Sequence, residues 1–220
     1  MTESTLYCRD FDDERAYDED WSNVYADPNQ PALLSTASPG SRDGSRYLTF
    51  PTPELASEDR VFHQLQYVAS SGSGLSMRFD ARVTDFDSRL GDLTLVSIYA
   101  GADQSWKLGL DLIQGWIQIS ESHYEREGNP GSFEAHEAVR PDLEEWKTME
   151  LTLVERGSAW EVSLALEGKR VIGPVPVSPV QAPTVVKTTI GVDTLHGPAR
   201  PMSISYDNIA FSTLDAPPAD

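Results

Sequence analysis

Residues 75–120 read LSMRFDARVTDFDSRLGDLTLVSIYAGADQSWKLGLDLIQGWIQIS and contain four consecutive strand patterns. In the first, LSMRFDARV, apolar and polar residues alternate, which is the period of a strand with one buried and one wet face. The second, DLTLVSIYAG, is apolar on both faces, so we expect it to lie centrally in its sheet. SWKLGLDL and WIQIS follow, and Gly115 between them can supply the positive φ of a tight hairpin. Together they predict an antiparallel meander of four strands.

The rest of the chain contains further strand patterns separated by turn-rich segments. The clearest are VFHQLQYVA, WKTMELTLVERG, AWEVSLALEGKRVI, TTIGVDTL and MSISYDNIAF. Residues 120–139 are interpreted as a long loop, and EAVRPDLEEW could hold one helical turn. The proline-rich residues 173–184 cannot form a central strand, because proline has no backbone N–H to donate.

About a dozen strands with almost no helix predict an all-β protein, a two-sheet antiparallel β-sandwich of the jelly-roll kind. We expect a single domain over residues 1–220 with a core over about 8–212, a short acidic N-terminal segment and a proline-rich C-terminal tail.

The charge balance is strongly acidic. Lys plus Arg total 17 against 35 Asp plus Glu, a formal net charge of −18. This charge repels phosphate backbones and anionic lipid surfaces, so we expect no nucleic-acid partner and no membrane-surface role. No apolar run approaches the roughly 18 residues of a membrane span. The first residues, MTESTLYCRD, lack a basic-then-apolar export signal, and the single cysteine, Cys8, cannot close an internal disulfide.

The order of these features resembles the concanavalin A-like lectin/glucanase superfamily, particularly the laminin G-like jelly-roll modules of bacterial surface proteins. The resemblance covers roughly residues 8–212 and is carried by CRDFDD with Trp21, FDARV, SWKLGLDL–GWIQIS, EEWKTMELTLVERGSAWEVSLALEGKRV and ISYDNIAF. It implies a sandwich with one concave face, a role in glycan binding, adhesion or surface display, and an extracellular or cell-surface location. Such modules often open with a cysteine that has a partner elsewhere, which Cys8 lacks.

Some relatives of this fold hydrolyse polysaccharides, so catalytic patterns need a test. Retaining glycosidases require two carboxylates about 5–5.5 Å apart, which on a strand predicts a Glu-x-Asp-x-x-Glu type of run. No strand pattern carries such a run, and there is no nucleophile elbow or HExxH motif. We therefore expect a protein that is not an enzyme.

Aromatic residues near the third and fourth strands are the candidates for glycan binding. A sugar ring has an apolar face that stacks on an aromatic ring, while its hydroxyl groups need polar partners. The candidate ligand-binding residues are Trp106, Trp116, His123, Tyr124, Asp103 and Gln104. The alternative is that Trp106 and Trp116 pack in the core, as large aromatic side chains commonly do.

Three functional hypotheses follow. The first is a non-catalytic extracellular module for carbohydrate binding or adhesion, with a glycan or another surface protein as its partner. The second is a structural or assembly subunit of a surface layer or appendage, in which case an oligomer is possible. The third is a glycan-active hydrolase. An open groove lined by aromatic residues favours the first, and large flat apolar patches or a donated edge strand favour the second.

A structural Ca²⁺ ion is the one cofactor that the sequence suggests. The apolar alternation of SISYDNIAF is interrupted at Asp207, and a carboxylate inside a strand needs compensation. In similar β-sandwich modules, an acidic residue in the last strand shares a cation with the first strand. Asp10 and Asp12 are the candidate partners of Asp207, with Asp13 and Glu14 beside them. The alternative is that Asp207 stabilises a β-bulge by accepting backbone N–H groups.

Overall fold

The structure is a computed structural model. It describes residues 3–9, 22–25, 33–35, 43, 46–52, 54, 60–70, 73–86, 92–100, 105–124, 130–179, 185–196 and 200–214. These residues form fifteen strands and no helix.

The strands are β1 (Glu3–Arg9), β2 (Ser22–Tyr25), β3 (Leu33–Ser35), β4 (Tyr47–Thr52), β5 (Arg60–Ser70), β6 (Gly74–Thr84), β7 (Asp92–Ala100), β8 (Trp106–Ile113), β9 (Trp116–Tyr124), β10 (Pro130–Val139), β11 (Lys147–Arg156), β12 (Ala159–Leu166), β13 (Lys169–Val177), β14 (Val185–His196) and β15 (Met202–Leu214).

Two antiparallel sheets pack face to face. The first sheet has the order β13-β12-β11-β6-β15-β4-β3, with β1 also paired to β15. The second sheet has the order β10-β9-β8-β7-β14-β5-β2. The all-β sandwich expected from the strand patterns is therefore confirmed, and β7 lies in the middle of its sheet as its two apolar faces predicted.

The expected four-strand meander is wrong in one strand. β6 belongs to the first sheet, where it pairs with β11 and β15. The meander consists instead of β7, β8, β9 and β10 in the second sheet. The alternation in LSMRFDARV correctly indicates that one face is buried, but both sheets bury one face against the same core. Alternation therefore cannot assign a strand to one sheet or the other.

Two local expectations also differ from the structure. Residues 120–124 and 130–139, interpreted as parts of one long loop, form the end of β9 and the whole of β10, and these two strands pair with each other. Residues 140–146 contain no helical turn. The expectation for the proline-rich segment agrees with the structure. Its residues 173–177 lie in β13, an edge strand of the first sheet, where a proline without an N–H need not interrupt the hydrogen bonds between strands.

The core fills the space between the two sheets. Alternating apolar residues of β6, β11 and β15 face those of β7, β8 and β14. Tyr206 of the first sheet crosses this core, and its hydroxyl donates to the Leu95 carbonyl oxygen of the second sheet at 2.7 Å. The Gly191 N–H donates back to the same hydroxyl at 3.3 Å. Burial raises the pKa of the Tyr206 phenol far above its usual value.

No helix among the described residues is long and apolar enough to cross a membrane.

Candidate functional site

The second sheet has one face toward the core and one face away from it, which we call the outer face. In β8, Trp106, Leu108, Leu110 and Leu112 are buried on the core side. Successive strand residues point to opposite sides, so Lys107, Gly109 and Asp111 lie on the outer face. Residues that are paired in neighbouring strands lie on the same face of a sheet. Ser97 of β7 and Ser120 of β9 are both paired with Gly109, so they also lie on the outer face.

Several polar side chains of the outer face are buried although they lie outside the core. We call this set the recessed floor; its members are Thr94, Ser97, Asp111, Ser120 and Thr189, between 0% and 8% exposed. An outer-face side chain is buried only where neighbouring parts of the chain rise around it. The floor is therefore a layer of hydroxyl and carboxylate groups that other parts of the chain cover.

The packing of the floor depends on one glycine. Thr94 Oγ1 donates to Asp111 Oδ1 at 2.6 Å. A Cβ added at Gly109 would lie 2.6 Å from Ser120 Oγ and 3.0 Å from Asp111 Oδ1. Gly109 therefore leaves the space that these two polar groups occupy.

The Thr189 hydroxyl is buried on the floor and has no hydrogen-bond partner within the part of the chain that the structure describes. Thr188, on the core side of the same strand, is in the same situation. Of the two threonines, Thr189 is the one on the outer face of the sheet, where other parts of the chain cover its hydroxyl.

Two exposed aromatic residues flank the floor along β9. Trp116 is 46% exposed and Tyr124 is 42% exposed. They are the first and last residues of β9, and their even spacing places both on the outer face, roughly 27 Å apart. An extended oligosaccharide can therefore contact both rings across the polar floor.

The six predicted ligand-binding residues separate into three groups. Trp116 and Tyr124 lie on the outer face, whereas Asp103 and Gln104 lie outside the described residues. Trp106 is 1% exposed, because it points into the core on the same face of β8 as Leu108, two residues further on. This is the core position that the sequence left open as an alternative.

His123 also lies on the core side, opposite Trp106 in the register. Both surround the buried carboxylate of Glu121. Its Oε1 accepts the Trp106 indole N–H at 2.5 Å and the Ser178 backbone N–H at 2.7 Å, and it lies 3.2 Å from His123 Nε2. Ser178 directly follows β13, so this cluster links the second sheet to the first.

Sequence reasoning missed the polar residues in the centre of the outer face. Lys107 and Asp111 alternate with leucine in WKLGLDL, and that pattern already places them on the face opposite the core. Thr189 and Ser97 could not be found in this way, because strands distant in sequence bring them together.

Asp207, the residue proposed for calcium, is fully buried in β15. Its Oδ1 accepts the Asn208 N–H at 2.8 Å, Asn208 has a φ of 50°, and the register with β6 shifts directly after Asp207. These are the features of the β-bulge alternative. Asp10 and Asp12 lie outside the described residues, so the calcium ion stays a prediction.

The structure adds Asp80 as a neighbour of Asp207, its register partner in β6. Asp80 is 5% exposed and accepts hydrogen bonds from Asn208 Nδ2 at 2.9 Å and Thr148 Oγ1 at 2.5 Å. Two buried carboxylates supply the oxygen donors that Ca²⁺ prefers. Within the described ranges there is no group of three or more His, Cys, Asp or Glu residues suited to a metal ion.

No protein-family model matches the chain, and no curated protein gives a significant match. Solved structures match over nearly its whole length. One is the cellulose induced protein Cip1, with a TM-score of 0.65 and 13% identity over 97% of this chain and 100% of that chain. Another is the CBM2 module of the evolved Dit of Lactobacillus casei BL23 phage J-1, with a TM-score of 0.57 and 13% identity over 98% and 97% of the two chains.

The endo-1,3-beta-glucanase of Streptomyces sioyaensis also matches, with a TM-score of 0.53 and 12% identity over 96% of this chain and 97% of that chain. Identities this low show the fold alone. The chain shares with these structures an all-β fold of two antiparallel sheets packed as a jelly-roll sandwich.

Proposed function

We propose that this protein is a non-catalytic, extracellular carbohydrate-binding module of the laminin G-like type that its sequence resembles. A glycan chain lies along β9 on the outer face of the second sheet. Trp116 and Tyr124 stack on sugar rings at its two ends, and the recessed floor between them supplies polar partners for sugar hydroxyls.

The single observation that carries this proposal is the pair of exposed aromatic residues on the same face as the buried polar floor. Trp and Tyr combine a large apolar ring face with a polar group at the ring edge, and the apolar face of a sugar ring can stack on such a ring. Two of the structures with the same fold, a cellulose induced protein and a CBM2 module, have names that associate them with polysaccharides.

The test is a glycan array followed by calorimetric titration of the best ligand. We expect Trp116→Ala to weaken binding about tenfold, which corresponds to the loss of one aromatic stacking contact. Trp146→Ala is the matched control, because Trp146 packs edge-on against Tyr47 beside β11 of the first sheet, at a ring distance of 5.4 Å. Equal losses in the two variants would contradict a site on the second sheet.

Two other outcomes would replace the proposal. Binding to no glycan, together with concentration-dependent assembly in light scattering, would support an assembly subunit. Release of reducing ends from the bound glycan would support a hydrolase. In a retaining hydrolase, Asp111 on the floor would need a second carboxylate about 5–5.5 Å away.

A further inference from the structure

A cleft opens at one end of the sandwich, beside the turn that joins β8 to β9. We call it the end cleft. Its walls come from the end of β6 with Phe86 after it, from the end of β8 with Gly115 of the turn, and from residues 140–144. Its volume is about 180 Å³. Pockets for drug-sized ligands measure roughly 300–1,000 Å³, so the end cleft has room for one sugar ring rather than several.

The floor of the end cleft is apolar. Val83, Leu112 and Leu143 are buried members of the core, and the partly buried Phe86 packs against them. One face of a sugar ring is also apolar and can lie against an aromatic ring and aliphatic side chains. The floor therefore suits the face of a sugar ring.

The rim of the end cleft is charged. Arg140, Asp142 and Glu144 line it and are exposed. Among the described residues, the Arg140 guanidinium and the Glu144 carboxylate have no ion-pair partner, and Asp142 Oδ1 accepts the Glu144 backbone N–H at 3.2 Å. Guanidinium N–H groups donate hydrogen bonds, carboxylate oxygens accept them, and sugar hydroxyls do both. Two carboxylates against one guanidinium favour a neutral sugar over an acidic one.

One hydrogen bond closes a side of the end cleft. The Val83 N–H donates to the Leu143 carbonyl oxygen at 2.8 Å, so the end of β6 is joined to the segment 140–144. Both residues line the cleft, and its wall is continuous between them. A glycan chain that enters the cleft therefore has no passage between these two walls, and its last sugar ring ends there.

The end cleft lies next to one of the two exposed aromatic residues. Gly115 lines the cleft and directly precedes Trp116, so their Cα atoms are roughly 3.8 Å apart. Gly115 has no side chain that would stand between the Trp116 ring and the cleft. A glycan that lies along β9 and stacks on Trp116 can continue past Gly115 into the cleft.

We propose that the end cleft binds the terminal sugar residue of a neutral glycan, so that the protein recognises the end of a glycan chain. This inference rests on the proposed function and names the part of the glycan that the site selects. The apolar floor contacts the face of the terminal ring, and Arg140, Asp142 and Glu144 contact its hydroxyl groups.

The test is calorimetric titration with laminarin and xylan, each as a hexasaccharide and as a long soluble chain, and with the neutral glycan that binds best on the array in the same two forms. We expect one protein to bind per chain in both forms, because each chain offers one such end. Borohydride reduction opens the ring at the reducing end. A lower affinity for the reduced hexasaccharide would assign the cleft to that end, and an unchanged affinity with one protein per chain would assign it to the other.

The variant for this test is the double substitution Arg140→Ala and Glu144→Ala, which leaves the net charge of the protein unchanged. Its matched control is Glu54→Ala with Arg170→Ala, at two exposed positions outside the cleft. The first variant should lose at least tenfold in affinity for the hexasaccharide, and the control should lose little. Thermal melts of both should show a folded protein.

Two results would overturn recognition of the chain end and leave carbohydrate binding intact: a number of bound proteins that rises in proportion to chain length, or unchanged affinity in the first variant. A preference for acidic over neutral glycans would overturn the neutral terminal sugar in the same way. Failure of every probe and of the glycan array would remove both proposals. If the double variant does not fold, the number of wild-type proteins bound per chain still decides the question.

Discussion

Trp106 and Trp116 lie on opposite faces of the second sheet, and this orientation makes the first a core residue and the second a surface residue. Trp106 shares its parity with Leu108, Leu110 and Leu112, so its core position could be predicted from WKLGLDL alone. Trp116 follows a two-residue turn in which Gln114 and Gly115 have φ values of 52° and 82°. That turn pairs Ile113 with Trp116 and places the Trp116 ring on the outer face. Gly115 was the sequence signal for the turn, but the resulting register could not be predicted from it.

Substituting these two tryptophans should separate stability from binding. We expect Trp106→Ala to lower the free energy of unfolding by about 3–5 kcal/mol, because it opens a core cavity and removes a donor from buried Glu121. Trp116→Ala should change stability by less than about 1 kcal/mol while weakening glycan binding. Urea denaturation of both variants measures the difference. A larger loss of stability for Trp116→Ala than for Trp106→Ala would contradict the two placements.

Tyr206 links the sheets through one hydroxyl, and its loss should be measurable. Tyr206→Phe leaves the Leu95 carbonyl oxygen without this donor inside the core, so we expect a loss of about 1–3 kcal/mol in the free energy of unfolding. Phe50→Leu is a useful comparison, because Phe50 packs against the Tyr206 ring at 5.7 Å but donates no hydrogen bond.

The same residue predicts an alkaline pH dependence. The folded-state pKa of Tyr206 is raised above its unfolded value by burial. Its contribution to stability is therefore fully present below about pH 10, the unfolded pKa, and is lost as pH rises above that value. Urea denaturation at about pH 8 and about pH 11 should show a smaller alkaline loss in Tyr206→Phe than in the wild-type protein. Identical losses would show that the pKa of Tyr206 does not differ between the folded and the unfolded protein.

At the scale of elements, sequence patterns located most strands but not their sheets. The proline content of residues 173–177 correctly excluded a central strand. In contrast, β10 was missed, because Gly128-Asn129-Pro130-Gly131 indicates a turn and obscures the strand that begins at Pro130. Sheet membership depends on pairing between distant segments, such as β6 with β15, and local alternation carries no information about it.

The edge strand β13 allows a matched test of backbone geometry. Gly168 and Gly173 have φ values of 73° and 79°. A Cβ at Gly168 would meet nothing within 4 Å, whereas one at Gly173 would lie 2.4 Å from the Val162 carbonyl oxygen. Gly168→Ala should cost about 1–2 kcal/mol for the left-handed conformation alone. Gly173→Ala should cost about 1–3 kcal/mol more, because rigid backbone must move. Equal thermal melts of the two variants would contradict the close approach of β12 to β13.

At the scale of the whole molecule, the candidate site depends on strands that the sequence keeps far apart. β7, β8, β9 and β14 all contribute to the recessed floor, and only their antiparallel register brings Thr189 beside Ser97. The sequence could indicate that lysines and polar residues alternate with apolar ones. It could not indicate that the polar side chains of the outer face are buried, since that depends on how distant parts of the chain pack around them.

The charge of the whole molecule also bears on its calcium dependence. Asp80 and Asp207 are buried register partners, and a net charge of −18 favours binding of a divalent cation. Arg9 of β1 pairs with Ile209, two residues after Asp207, and Asp10 follows Arg9 in sequence. We therefore propose that Asp207 binds Ca²⁺, with Asp10 and Asp12 from the start of the chain and with Asp80 among the candidate ligands.

Thermal melts in EDTA and in millimolar CaCl₂ test this ion. A Ca²⁺ concentration 100 times the dissociation constant should add about 2.7 kcal/mol to the free energy of unfolding, because only the folded protein holds the ligands together. Asp207→Asn should remove the difference between the two melts, whereas Asp142→Asn, at an exposed position, should leave it unchanged. If the wild-type melts coincide and Asp207→Asn shifts neither, the bulge at Asn208 accounts for the buried carboxylate without a metal ion. In that case the hydrogen bonds from Asn208 and Thr148 are the compensation that the two aspartates need.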